Sequence, residues 1–100
     1  MTISRGDFQL TPEQRRFRDL IRPYDYLSRY WDWESRCLDE ASLDNAMAVF
    51  SHGERIMATF FRAVWTGSDQ APLSILEAVR TLDTDDLAII TGWMRDPFFP

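Results

Sequence analysis

The hydrophobic and polar positions of this chain repeat most regularly between Ser51 and Gly67. Apolar residues fall there in the rhythm of a wide helical stripe, at Ile56, Met57, Phe60, Phe61 and Val64. Ser51 is a good N-cap, and Glu54 three residues later completes a capping box. Gly67 stands where a left-handed residue closes a helix. The pattern therefore predicts a central, buried helix against which the rest of the chain packs.

Start and stop signals predict further helices around the central one. Thr11, Pro12 and Gln14 supply a cap, a first-turn proline and a capping box for the first of them. The predicted ranges are 12–22, 23–38, 43–50 capped by Ser42, 72–82 with Leu73, Leu76, Val79 and Leu82 as its face, and a last helix from the Asp83–Asp86 cap to the Asp96-Pro97 stop. The short helix over 43–50 can join the central helix as one kinked element. The fold class predicted is all-α: a single helical bundle of about five helices.

The two ends of the chain lack helical periodicity. Residues 1–10 are predicted to form an irregular arm, with Phe8 and Leu10 able to tuck into the core or a partner, and residues 11–100 to form the helical domain. The apolar C-terminal sequence Phe98-Phe99-Pro100 is expected to dock on the domain.

The stretch 23–38 has the most unusual composition, because five of its first eleven residues are aromatic. On a helical wheel, Tyr26, Tyr30, Trp33 and Cys37 share one stripe. Two interpretations stay open: a packed aromatic core, or a binding surface, since Tyr, Trp and Arg dominate interface hot spots.

The composition and net charge of the chain disfavour several classes of function. The 100 residues carry a formal net charge of −5 and include no lysine, and acidity of this kind disfavours a sequence-independent grip on nucleic acid. The first ten residues are polar, and no uncharged apolar run approaches the roughly 18 residues of a membrane span. One cysteine allows no internal disulfide. A cytoplasmic protein without membrane or direct nucleic-acid contact is expected.

Candidate chemistry is sparse. His52 and Cys37 are the only histidine and cysteine, too few for a structural zinc site, and a Cys–His enzyme would need an oxyanion loop that the sequence lacks. Asp83, Asp85 and Asp86 lack the glycine and glutamate of a calcium loop and are better explained as a helix cap. A DNA-binding helix-turn-helix is disfavoured, because the net charge of the chain is negative. No catalytic residue, cofactor or metal is predicted.

The second half of the chain resembles, in style, small proteins carried by phages and mobile elements. The resemblance lies in SHGERIMATFFRAVW and RTLDTDDLAIITGWMRDPFFP, through Ser51, Gly53, Glu54, Met57, Phe60, Trp65, Leu82, Asp83, Ile90, Trp93 and Pro97. Within that group the chain is similar to anti-CRISPR proteins that inhibit type I surveillance complexes. The members of that class are mutually unrelated in sequence, so the resemblance transfers no binding residues.

The resemblance implies a non-enzymatic inhibitor that blocks target DNA binding by occupying basic surfaces of its partner. Charge complementarity would speed association, and aromatic anchors would slow release. The candidate partner-binding residues, chosen by side-chain type, are Asp83, Asp85, Asp86, Asp39, Glu40, Asp44, Tyr24, Tyr26 and Trp33. The alternative is a self-assembling regulatory subunit that buries its aromatic surface in a homodimer. The partner's identity and the monomeric or dimeric state stay open at this point.

Overall fold

The computed structural model describes residues 10–68 and 73–100. Those residues form six helices and one two-stranded hairpin: α1 (Pro12–Ile21), α2 (Asp25–Ser28), β1 (Trp31–Asp32), β2 (Cys37–Leu38), α3 (Glu40–Met47), α4 (His52–Thr66), α5 (Ile75–Thr81) and α6 (Thr84–Arg95). The protein is therefore mostly helical, but the all-α, five-helix prediction is too simple. The predicted arm lies outside the described residues except for Leu10, which is buried.

Helix α4 is the central helix that the sequence predicts. The Ser51 hydroxyl accepts a hydrogen bond from the Glu54 amide at 3.2 Å, and the Glu54 carboxylate accepts one from the Ser51 amide at 2.8 Å. Gly67 ends the helix with φ 68°, in the left-handed region that favours glycine. Met57 and Phe61 are fully buried. The capping box and the apolar stripe are both confirmed.

The helix predicted over 23–38 is wrong. Only one short helix forms there, and the chain then turns back as an antiparallel hairpin in which Trp31 pairs with Leu38 and Asp32 with Cys37. The Asp32 carboxylate accepts hydrogen bonds from the amides of Glu34 and Ser35 at 3.0 and 3.4 Å. An aspartate that bonds to the following amides stabilises a turn in competition with a helix. Tryptophan and tyrosine also suit a half-buried strand.

The remaining helix starts match the sequence in part. The capping box of α1 is present, and Asp83 caps α6 by accepting a hydrogen bond from the Asp86 amide at 2.8 Å. The cap of α3 is Asp39 rather than Ser42, because Ser42 donates its amide and hydroxyl to the Asp39 carboxylate at 3.2 and 2.7 Å. Helix α5 begins after its cap Ser74, whereas Pro72, its predicted first residue, lies outside the described residues.

The core is aromatic and centres on Phe17 of α1. Its ring contacts those of Trp31, Trp33, Phe61 and Trp65 at centroid distances of 5.2 to 6.2 Å. These contacts join α1, the hairpin and α4. Aromatic pairs at such distances add to the stability that burial provides.

The C-terminal residues dock on the domain, as predicted. Phe98 is buried and Phe99 is exposed. The Trp93 indole donates a hydrogen bond to the Phe98 carbonyl at 2.9 Å. The Arg16 guanidinium lies 4.3 Å from the Phe98 ring centre and forms a 3.0 Å ion pair with Asp96. These contacts fix the end of the chain beside α1.

Candidate protein-binding surfaces

Four of the predicted binding residues lie together with Glu54 beside the N-terminal ends of α4 and α6. The Tyr24 hydroxyl donates a 2.6 Å hydrogen bond to the Asp86 carboxylate, and the rings of Tyr24 and Tyr26 meet at 6.2 Å. Glu54 and Asp83 belong to the starts of α4 and α6, the helices that approach these tyrosines. We call Tyr24, Tyr26, Glu54, Asp83 and Asp86 the acid–tyrosine end.

Burial and neighbouring carboxylates raise the pKa of both tyrosine hydroxyls of the acid–tyrosine end. Burial, the hydrogen bond to Asp86 and the negative charges around it raise the pKa of the Tyr24 hydroxyl well above its usual range. Burial and the charges of Glu54 and Asp86 raise the pKa of Tyr26 to about 12. Both hydroxyls therefore stay protonated at neutral pH. The acid–tyrosine end presents carboxylate acceptors beside neutral phenols.

The carboxylates of the acid–tyrosine end differ from several others in this protein in their lack of an arginine partner. Asp19, Asp44 and Asp96 each form an ion pair with an arginine. Within residues 10–68 and 73–100, no ion pair involves Glu54, Asp83, Asp85 or Asp86. In the part of the chain described, the carboxylates of the acid–tyrosine end are therefore not neutralised by arginine, while Glu54 and Asp83 accept hydrogen bonds from amides and Asp86 accepts one from Tyr24.

Asp85 does not belong to this group. It lies in the first turn of α6 and is exposed, whereas Asp86 is half-buried against Tyr24. Adjacent helix positions differ by about 100° around the axis, so the two side chains leave α6 in different directions.

The second predicted acidic group lies on α3, apart from the first. The Asp39 carboxylate is used as the cap of α3, and its hydrogen bonds with Ser42 hold its pKa below the usual range. Glu40 is exposed in the first turn, and Asp44 is paired with Arg62 of α4. Since Asp44 is paired with arginine, this group offers less unpaired negative charge than its sequence indicates.

Trp33 is also separated from the acid–tyrosine end. It lies in the hairpin turn and packs against Phe17 and Trp65 at 6.2 and 6.1 Å. Its ring is half-buried, so it belongs to the aromatic core that surrounds Phe17 and Trp65.

Sequence reasoning missed one surface, an apolar groove between α5 and α6. The groove has a volume of about 380 Å³, and its lining includes Phe60 from α4. Three residues lining it are more than half exposed: Ile75 at 63%, Val79 at 60% and Met94 at 54%. The predicted face of α5 is therefore partly wrong, because Ala78 and Leu82 are buried while Leu76 and Val79 face solvent. The excess of apolar residues on α5 is the feature of the sequence that could have indicated this groove.

The two residues considered for nucleophilic chemistry have unrelated surroundings. Cys37 is exposed on β2, and its thiol donates to the Ser35 carbonyl at 3.4 Å. His52 starts α4 and contacts the Glu77 carboxylate of α5 at 3.1 Å. In the described ranges no three His, Cys, Asp or Glu side chains are grouped so that they could hold a metal ion. Among the helices formed by those residues, none has the length and apolar character needed to cross a membrane.

Neither a family model nor a curated protein matches this sequence, and no solved structure matches its fold. The functional interpretation therefore depends on the residues and contacts described above.

Proposed function

We propose that this protein is a non-enzymatic inhibitor that binds a basic, nucleic-acid-handling protein complex and occupies the surface on which nucleic acid would lie. The observation that supports it is the acid–tyrosine end, where carboxylates without ion pairs stand beside two protonated tyrosines. The specific complex proposed is a type I CRISPR surveillance complex, with target DNA binding as the step that is blocked.

The chemistry of the acid–tyrosine end suits such a surface. A groove that holds a phosphate backbone is lined with arginine and lysine, and carboxylates placed where phosphates would sit attract the same side chains. Their long-range field accelerates the encounter. The Tyr24 hydroxyl already donates to Asp86, so its oxygen can accept a hydrogen bond from a partner's guanidinium. The rings supply apolar area that slows dissociation.

The test is a competition for target DNA with purified type I surveillance complex. Glu54→Gln, Asp83→Asn and Asp86→Asn together remove three charges while amide oxygens keep the capping bonds. The matched control is Glu13→Gln, Asp32→Asn and Glu34→Gln, three acids outside the acid–tyrosine end. We expect wild type and the control to displace DNA and the first variant to lose at least tenfold in potency.

Three results would count against the proposal. Equal potency of the two triple variants would remove the acid–tyrosine end from the interface. A wild-type protein that binds the complex without reducing DNA capture would rule out occupation of the DNA surface, and one that does not bind would remove this partner.

A further inference from the structure

Residues 96–100 lie against α1 and the end of α6, and we call them the Phe98 strap. Pro97 ends α6, since a proline disfavours the helical conformation of the residue before it, and the strap itself forms no helix or strand. Phe98 is buried at 7% exposure and belongs to the hydrophobic core, whereas Phe99 is 66% exposed. The strap therefore covers apolar surface mainly through one ring.

The backbone of the strap has few ties to the rest of the protein. The Asp96 amide donates to the Trp93 carbonyl at 3.2 Å, and the Trp93 indole donates to the Phe98 carbonyl at 2.9 Å. Two side chains of α1 donate to other carbonyls of the strap at 3.3 and 3.4 Å. In the described part of the chain, the amides of Phe98 and Phe99 make no hydrogen bond. A segment with so few backbone hydrogen bonds and one buried ring opens at a lower free energy than a core helix does.

Arg16 of α1 contacts the strap through two kinds of interaction. Its guanidinium pairs with the Asp96 carboxylate at 3.0 Å and lies 4.3 Å from the centre of the Phe98 ring. The ion pair is open to water, because the side chains of Arg16 and Asp96 are 47% and 78% exposed. Salt screens an exposed ion pair of this kind and weakens it.

We propose that the Phe98 strap opens and closes as a unit while the rest of the protein stays folded, with Arg16 as a salt-sensitive latch. In the open form Phe98 leaves the core, the ion pair of Arg16 is broken, and the Trp93 indole loses its acceptor. Opening exposes apolar surface at the end of α6, and rising ionic strength favours it. The strap is thus a cover whose closure depends on the salt concentration.

The strap is separate from the surface proposed for inhibition. It begins where α6 ends, whereas Asp83 and Asp86 of the acid–tyrosine end lie at the start of that helix. At a rise of about 1.5 Å per residue, α6 extends roughly 16 Å between them. Either proposal can therefore fail without the other.

The experiment is native-state hydrogen exchange followed by NMR on the isotopically labelled full chain at increasing urea concentrations. The Trp93 indole reports on the strap, because its acceptor is the Phe98 carbonyl. The amide of Phe61, which is fully buried in α4, reports on global unfolding. Rates are divided by those of an unprotected tryptophan or peptide reference under the same conditions to give opening constants. We expect the strap's opening constant to exceed that of Phe61 at least about tenfold and to depend little on urea.

Three variants separate the latch from general stability. Arg16→Gln should raise the opening constant of the strap about three- to thirtyfold, because it removes an exposed ion pair and a cation–π contact. Arg15→Gln, on an exposed neighbour in α1, should leave it unchanged. Ser51→Ala should speed the exchange of the Phe61 amide by weakening α4 but leave the strap's opening constant as in wild type.

Salt provides the test of the latch itself. Raising NaCl from about 50 to 500 mM should increase the opening constant of the wild-type strap about two- to threefold, as the Arg16–Asp96 pair is screened. The same change should have no effect on the strap of Arg16→Gln. A variant that was merely less stable would keep the salt dependence.

Three outcomes overturn the proposal. The first is a Trp93 indole that follows the Phe61 amide in its urea dependence and in its response to Ser51→Ala, because the strap would then leave only on global unfolding. The second is an indole that exchanges as fast as the reference compound in wild type, which would mean that the strap is not closed. The third is an equal salt effect in wild type and Arg16→Gln, which would remove Arg16 as the latch.

Discussion

The hydrogen bond between Tyr24 and Asp86 joins α6 to the segment that follows α1, and Tyr24→Phe removes it with the loss of one oxygen atom. The ring contacts of Tyr24 with Tyr26 and Phe61, at 6.2 and 5.3 Å, are kept. The substitution therefore isolates the 2.6 Å bond from the packing of the aromatic ring.

The expected loss of stability in Tyr24→Phe depends on the charge and the solvent exposure of the acceptor, Asp86. A hydrogen bond to a charged group contributes about 1.5–3 kcal/mol to the stability of a protein. Asp86 is half-exposed, so water can replace part of the lost bond. We expect Tyr24→Phe to lower the free energy of unfolding by about 1–1.5 kcal/mol, which for a domain of this size is roughly 5–10 °C in melting temperature.

The assay is urea unfolding at pH 7, with Tyr30→Phe as the control. Tyr30 is also half-buried, but no hydrogen bond of its hydroxyl is present among the described residues, and its change should stay within about 0.5 kcal/mol. A double-mutant cycle of Tyr24→Phe with Asp86→Ala should give a coupling near 1 kcal/mol. Additive effects in that cycle would refute the account of this bond.

The same bond predicts a dependence on alkaline pH. The folded state holds the Tyr24 proton more tightly than the unfolded state, because the pKa of this hydroxyl is raised above 10.0 on folding. Its contribution to stability is therefore complete below about pH 10 and is lost as the pH rises above that value. Tyr24→Phe should make the alkaline loss of stability shallower than in wild type.

The remaining predictions concern the central helix and its neighbours. Ser51→Ala removes the acceptor for the Glu54 amide and should cost about 1 kcal/mol in urea unfolding; an unchanged midpoint would contradict the capping role. Gly67→Ala forces an L-residue to φ 68° and should cost about 1–2 kcal/mol, whereas stabilisation would show that this conformation is not needed. Phe61→Ala should lower the free energy of unfolding by about 3–5 kcal/mol, out of a total of roughly 5–15 kcal/mol. The variant should therefore be digested faster by a protease at about 25 °C. Resistance equal to that of wild type would contradict the central position of Phe61 in the core. Tyr26→Phe should reduce the loss of stability between pH 10 and 12, because the pKa of Tyr26 is about 12 in the folded protein; an identical pH profile would contradict that shift.

The parts of the fold that sequence predicts well are those where local chemistry and burial agree. In α4, the Ser51 and Glu54 side chains satisfy the first-turn amides, and the apolar stripe faces the core over the whole helix. In α6, Asp83 caps the helix in the same way. Such segments can be predicted from sequence because the local conformational preference and the tertiary packing favour the same structure.

The hairpin shows where this reasoning fails. The spacing of Tyr26, Tyr30 and Trp33 matches a helical stripe, but aromatic residues pack equally well along short strands. The choice between them depends on the Asp32 turn and on the packing of Trp31 against Phe17, a contact between distant parts of the sequence. Periodicity alone contains no information about that contact.

The binding surfaces were predictable only by residue type. Side-chain chemistry selected Tyr24, Tyr26 and Asp86, which the structure brings together. It also selected Asp44, whose charge is paired with Arg62, because the approach of α3 to α4 cannot be read from either segment alone. The α5–α6 groove was missed for the same reason, since exposure on a helix depends on which neighbour covers it.

The proposed inhibition is tested most directly by the salt dependence of binding to a purified type I surveillance complex, measured by biolayer interferometry. Carboxylates steering the protein onto a basic surface predict an association rate constant that falls at least tenfold between about 50 and 500 mM NaCl. The dissociation rate constant should change by less than about threefold, because the aromatic contacts that slow release are not screened. An association rate constant that is the same at both salt concentrations, or the absence of binding at the lower one, would contradict the proposal.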